Sequence, residues 1–407
     1  MSVLPSGGET APGGGPEDRA ARVALTWLAE PGNRAVWTLV EQAGAPATLE
    51  QLLSGDIPDK RLRIAVAARA AAGDARRMAE IAIRRADRLG ARLVVPSDEE
   101  WPRRIIDLAT LQLDSSGRIN SDTRPPLGFW VRGEWALGET LERSVAIVGA
   151  RAATNYGLHV TGELASGITR MGWTVLSGGA FGVDAAAHRG ALAAGGRTVA
   201  VLACGIDRPY PAGNAALFDR IADSGLLVSE WPIGAEPLRH RFLIRNRVIA
   251  AATAGTVVVE AAARSGAAQT MSRVLALHRP AMVVPGPVTS AMSVGCHEIL
   301  RNNPYARVVT NAAEVLEEVG RIGEYLAETP RGPERRHDHL DEETALVLEA
   351  LPPNGSATPE ELAAAARLSL RTVLRRLSLL EIAGLVVRTR DGVALAPAPG
   401  RNRRDAD

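Results

Sequence analysis

The residues best suited to chemistry gather in three short stretches. The first is Val148-Gly149-Ala150-Arg151-Ala152-Ala153-Thr154-Asn155-Tyr156-Gly157. It follows an apolar run, where a dinucleotide-binding chain would carry Gly-x-Gly-x-x-Gly, yet Arg151 takes the place of the second glycine. Gly149 permits a tight turn, the following helix offers free amides to an anion, and a guanidinium adds a bidentate phosphate ligand. Pairing of Arg151 with a carboxylate at the helix start is the other reading open here. The second stretch is Leu176-Ser177-Gly178-Gly179-Ala180-Phe181-Gly182-Val183-Asp184. Its three glycines let backbone amides converge on a phosphate or a base edge, and Asp184 stands near a helix start, where a carboxylate is favoured. Tight packing or mononucleotide binding would use the same glycines. The third is Arg239-His240-Arg241-Phe242-Leu243-Ile244-Arg245-Asn246-Arg247, four arginines, a histidine and an aromatic in nine residues. Arginines that hold a backbone beside a ring that stacks on bases suit single-stranded nucleic acid. If Phe242 opens a helix, Arg245 and Asn246 fall beside it. The competing reading is a solvated basic helix start with Phe242 in the core.

Global charge adds nothing to these local clusters. The 407-residue chain has a net charge of only +1, which argues against a polycation that coats nucleic acid. Lys60 is the sole lysine among 47 basic residues, a bias that GC-rich codons would also produce, so position must carry the argument. Cys204 and Cys296 make no disulfide framework and, with His188, His240, His278 and His297, show no metal-ligand spacing. We expect no metal and no cofactor. No long apolar run or signal-like start is present, so the expectation is a cytoplasmic protein with no membrane partner.

The elements that must position the three stretches can be read from composition. Residues 1–18 are Gly/Pro-rich and predict a disordered lead; 19–91 have helical periodicity in Ala-rich surroundings; 92–137 form a connector with extended pieces and prolines. From 138 to 325 short β-branched runs alternate with helical stretches. The runs, among them Val145–Val148, Thr198–Leu202 and Ala281–Val284, are continuously apolar, as strands covered on both faces should be. The prediction is an α/β fold, an extended Rossmann-like, doubly wound, mostly parallel sheet, with ligands beyond the carboxyl ends of the strands. Residues 326–340 read as a linker, 341–398 as a small winged helix with a Thr358/Glu361 capping box, a Ser369 cap and a hairpin, and 399–407 as a tail.

Together the stretches 148–157, 176–192, 205–214, 229–234, 242–250, 257–270 and 284–286 have the order and spacing of the DNA-processing protein A family, also called Smf, and the chain closely resembles it. The resemblance implies a non-catalytic protein that binds single-stranded DNA, forms a homodimer and loads the RecA recombinase, on strands coated by single-strand binding protein, during DNA uptake, transformation or recombination. It also implies a helical N-terminal domain of the sterile-alpha-motif or helix-hairpin-helix kind and the C-terminal winged helix. By position, Arg151 matches the phosphate-binding arginine, Ser177, Gly178 and Gly179 the loop at the DNA pocket, Arg239 a basic contact three before the aromatic Phe242, and Arg245, Asn246 and Arg247 an Arg-Asn-Arg signature. With Gly149 and Gly182 these are the candidate nucleic-acid-binding residues; no catalytic residue is assigned. The chain departs from the pattern at Ala150, at Leu243-Ile244 and at Gly295-Cys296-His297.

Two other functions compete. A nucleotide-hydrolysing enzyme of the lysine-decarboxylase-like phosphoribohydrolase type would use the same general fold. Its PGGxGT loop is missing after Val259-Glu260, and Glu260 reads as a helix cap or an arginine partner. A transcriptional regulator would use Arg371, Arg375 and Arg376, although Arg375 and Arg376 point about 100° apart on a helix.

Overall fold

The computed structural model describes residues 14–111, 123–263, 265–327 and 340–396. These fall into two compact units that divide at residues 327 and 328. Most of the expected lead (1–13), the linker (328–339) and the tail lie outside the described residues.

The first unit is built on a nine-stranded sheet. Its parallel strands are β3 (Ser144–Val148), β4 (Thr174–Ser177), β5 (Thr198–Leu202), β6 (Leu226–Ser229), β7 (Gly255–Val258), β8 (Ala281–Val283) and β9 (Ala306–Val308). With β1 (Ala91–Val94) and β2 (Phe129–Arg132) at one edge, the order across the sheet is β1-β2-β6-β5-β4-β3-β7-β8-β9. Strand order therefore runs outward from β3 in one direction through β6, then restarts at β7 on the other side. That reversal opens a crevice beyond the carboxyl ends of β3 and β7, where doubly wound sheets bind ligands. Successive residues of β3 feed opposite cores. Val145 and Ile147 pack toward α6 (Asn155–Arg170), α7 (Val183–Ala193) and α12 (Ala312–Val319). Ala146 and Val148 pack toward α9 (Arg239–Ala252), α10 (Gly266–Ala276) and α11 (Val294–Asn302). Burial on both faces is why these strands read as unbroken apolar runs.

The segment expected as a connector contributes two strands. β1 (Ala91–Val94) pairs antiparallel with β2 (Phe129–Arg132), and β2 pairs antiparallel with β6. The short α5 (Leu137–Glu142) then leads into β3. The N-terminal helices α1 (Pro16–Leu28), α2 (Arg34–Ser54), α3 (Lys60–Ala72) and α4 (Ala75–Arg88) are not a separate body. Leu25, Leu28, Leu49 and Leu52 share one core with Ala200, Leu202, Phe218 and Leu227, that is, with β5, β6 and α8 (Ala215–Ser224). The helices cover a sheet surface that would otherwise be exposed, so the boundary expected at 91 does not divide two cores. α1 begins at Pro16, inside the segment expected as lead, because proline suits a first helical turn and Glu17 and Asp18 complement its dipole.

The second unit contains α13 (Glu342–Glu349), α14 (Pro359–Ala366), α15 (Leu370–Ile382) and the hairpin β10–β11 (Val386–Thr389, Gly392–Leu395) around Val347, Leu362, Val373, Leu380 and Val386. The capping box forms, with the Glu361 carboxylate accepting from the Thr358 amide at 2.8 Å, and Ser369 caps α15. Arg376 is paired with Asp341 and Glu343 at 2.7 and 2.6 Å, whereas Arg371 and Arg375, one turn apart, are exposed.

Candidate nucleic-acid interface

At the strand reversal lies an open crevice of about 660 Å³. Gly149, Ala150 and Arg151 line it after β3, Ala180 and Asp184 after β4, Tyr210 after β5, Arg239, Phe242, Leu243, Arg245 and Asn246 on α9, and Ser265, Gly266 and Thr270 at the start of α10. Three segments far apart in sequence thus meet where the sheet topology predicts.

Arg151 is exposed, and among the described residues it makes no ion pair. Its guanidinium carbon stands 5.3 Å from the centroid of the Phe242 ring. Phe242 in turn meets Tyr210 edge-on, with centroids 5.9 Å apart. A cation held over a ring, next to a second ring that is half exposed, offers both a phosphate ligand and stacking surface. Tyr210 was not singled out in the sequence; the signal that could have found it is an aromatic in a chain with few, just beyond the end of β5.

Glycines fix where Arg151 stands. A Cβ at Gly149 would come within 2.6 Å of Val183, and one at Gly182 would overlap the carbonyl oxygens of Ala150 and Arg151. Gly182 also has φ +77°, which glycine adopts without strain. α7 can therefore start directly beneath the Arg151 turn, where the Val183 amide donates to the Ala150 carbonyl at 3.2 Å. Gly182 shapes this wall from below and does not line the crevice.

Glu260 occupies the helix terminus at which a nucleotide phosphate would sit. Its carboxylate accepts from the Thr154 amide at 2.8 Å and from the Thr154 hydroxyl at 2.6 Å, at the start of α6. The glycine at 157 makes room for it. Glu260 thus braces Thr154, the residue that caps α6, and does not cap the helix that follows it in sequence; α10 is capped by Ser265.

The Arg-Asn-Arg trio divides. Arg245 is buried in the crevice floor, donating to the carbonyls of Gly178, at 2.8 Å, and Val201. Burial lowers its pKa to about 10, against the opposing charge of Asp184. Burial pushes the Asp184 carboxyl up from its ordinary value, while Arg245 and nearby amides pull it down. Gly178 has no side chain because Arg245 takes that space. Asn246 lines the crevice and reaches the Gly266 carbonyl at 3.4 Å. Arg247 does not reach the crevice: fully buried, it pairs with Glu230 at 2.6 Å. Ser177 is buried as well, donating to the Ile147 carbonyl at 2.6 Å, and Gly179 packs under Phe218. Exposed Arg239 stands at the rim. His188, read as a packing residue, is buried with Nδ1 2.8 Å from the Thr198 hydroxyl, and burial lowers its pKa to about 3.

The family model described as DNA recombination-mediator protein A matches residues 92–320. The chain belongs to that family. It is 48% identical to the putative DNA processing protein DprA of Mycobacterium tuberculosis (strain H37Rv) over 305 residues, 75% of this chain and 77% of the relative. It is 32% identical to the Escherichia coli protein Smf over 273 residues, 66% of this chain and 71% of that one. The X-ray structure of DNA processing protein A from Streptococcus pneumoniae superposes with a TM-score of 0.59 at 26% identity, covering 75% of this chain and 98% of that one. The family matches the Rossmann-like sheet and supports a DNA-processing, recombination-mediator role. No helix among the described residues is long and apolar enough to cross a membrane.

Proposed function

We propose that the chain binds single-stranded DNA in the crevice without catalysing a reaction on it, and that it delivers the strand to a RecA-type recombinase. The observation that carries this reading is Arg151: exposed, without an acidic partner among the described residues, and held over the Phe242 ring beside Tyr210. Arg239 supplies a second cation at the rim. Arg245 acts from below, with its positive charge under the Gly178 loop, while Arg247 is a folding residue. Homodimerisation and contact with single-strand binding protein come from the family resemblance. The nucleotide-hydrolase reading is disfavoured because both oxygens of Glu260 are committed to Thr154 at the start of α6.

The deciding experiment compares wild type with Arg151→Ala, binding fluorescent oligothymidylate at several salt concentrations. A hydrogen bond to a charged group contributes about 1.5–3 kcal/mol, so affinity should fall roughly ten- to a hundred-fold, with a flatter salt dependence. Unchanged affinity at every salt concentration overturns the assignment. Release of free base from nucleoside monophosphates would favour the enzyme instead.

A further inference from the structure

We propose that the bound strand leaves the crevice over Tyr210 and Arg208 and runs onto α4, where Arg85 takes a further phosphate; this rests on the single-strand reading above. The track can be followed from contact to contact. Phe242 meets Tyr210 edge-on, and Tyr210 keeps nearly half its surface exposed. Two residues earlier, Arg208 is exposed and pairs only loosely, at 3.7 Å, with the exposed Glu236. Glu236 belongs to the loop between β6 and α9, which Asp207 holds by accepting from the Gly234 amide at 2.8 Å. Arg85 reaches over that same loop: a Cβ on Gly234 would stand 3.6 Å from its Nη1. Arg85 is exposed and makes no ion pair among the described residues. Arg84 and Arg88 flank it on one helix face, with Asp87 beside them.

A macrodipole favours cations in the last turn of a helix and accounts for basic residues at the end of α4. It does not account for Arg85 meeting the loop that Arg208 and Asp207 already flank. From Gly234 to Arg239 the chain has five steps, at most ~17 Å. At the stacked spacing of ~3.4 Å per nucleotide, that is about five nucleotides, within the ~4–16 that single-strand sites occupy.

The test uses the full chain with the double variant Arg85→Ala/Arg208→Ala and oligothymidylates of three and twenty nucleotides. Neither side chain is buried, and circular dichroism checks the fold. The twenty-mer should bind several-fold more weakly, its log K against log salt slope flattened by about 1.4, or ~0.7 for each lost phosphate contact. The trimer, shorter than the run to Gly234 worked out above, occupies the crevice alone and should bind as before. Equal losses at both lengths, or an unchanged slope for the twenty-mer, overturn the track. If instead the trimer is indifferent to Arg151→Ala, the crevice reading itself fails, a result independent of α4.

Discussion

Glu30 ties the N-terminal helices to the interface, and its removal makes a quantitative prediction. It lies between α1 and α2, far in sequence from α9, yet its carboxylate accepts from Arg241 Nε and Nη2 at 3.1 and 2.8 Å, from Trp231 Nε1 at 2.9 Å and from Arg69 at 2.7 Å. Burial raises its pKa, but the hydrogen bonds from Arg241 and Trp231 and the charges of Arg241 and Arg69 outweigh it, leaving a value of about 2 against 4.5. A depressed carboxylate pKa contributes stability that is present above the unfolded value and lost as pH falls through the folded one. At ~1.36 kcal/mol per unit, the charged form contributes about 3 kcal/mol at pH 7 and less than half of that at pH 3. Glu30→Gln mimics the protonated acid and should lose that amount at pH 7, with less than half the difference remaining at pH 3. All seven tryptophans lie between Trp27 and Trp231, so their fluorescence during urea unfolding reports the first unit alone. Arg241 sits between Arg239 and Phe242, so strand affinity should also weaken at pH 7. Equal urea midpoints for Glu30→Gln and wild type at pH 7, or a gap that does not shrink at pH 3, would refute the reasoning.

Other perturbations separate structure from binding. Gly182→Ala combines a left-handed backbone, costing roughly 1–2 kcal/mol, with overlap onto two carbonyls; it should lower the melting temperature and, by displacing the Arg151 turn, weaken strand binding, and a variant as stable as wild type would count against the wedge. Arg247→Ala strands Glu230 in the interior and should cost about 3–5 kcal/mol in urea unfolding, whereas Arg247→Leu/Glu230→Leu should recover most of it. If the double variant is as unstable as the single, the buried pair is not the cause. Glu260→Gln keeps an acceptor for only one of the two Thr154 donors; it should lower stability by about 1 kcal/mol yet leave strand affinity within about two-fold, as expected for a residue outside the crevice; a collapse of binding would place Glu260 in the site.

Much of the sheet was legible because burial on both faces leaves a local mark. Thr198–Leu202 is the expected strand to the residue, and the others shift by a position or two. β1 and β2 showed only as short extended pieces within the connector. Each is four residues long amid prolines, and what makes β2 a strand is β6, about a hundred residues later. The boundary at 91 failed for the same reason: helical periodicity shows which face of α1 is apolar, not that β5 and β6 cover it. On α9, composition pointed to four arginines, but only geometry sorts them. At ~100° per residue, Arg247 lies about 140° around the helix from Phe242, a separation that was available from the sequence and argued for different environments. The partners, Glu230 for Arg247 and Glu30 for Arg241, were not available, because nothing local links residues brought together by the fold.

The proposed strand binding accounts for two departures from a mononucleotide site. A helix terminus after the first parallel strand is a general anion site, and here the Glu260 carboxylate stands beside it, bonded to the cap residue Thr154. The cation is moved one turn earlier, to Arg151, and set over a ring at the open side of the crevice. A phosphate bound there stays exposed to its neighbours on both sides, as a continuous backbone requires, instead of being enclosed at a helix end. Stacking on Phe242 and Tyr210 makes no demand on base identity, and Arg245, below the floor, adds charge without occupying space. On the proposed reading, the departure at Arg151 from the dinucleotide pattern and the commitment of Glu260 are two halves of one change, from a site that ends a ligand to one that lets it pass.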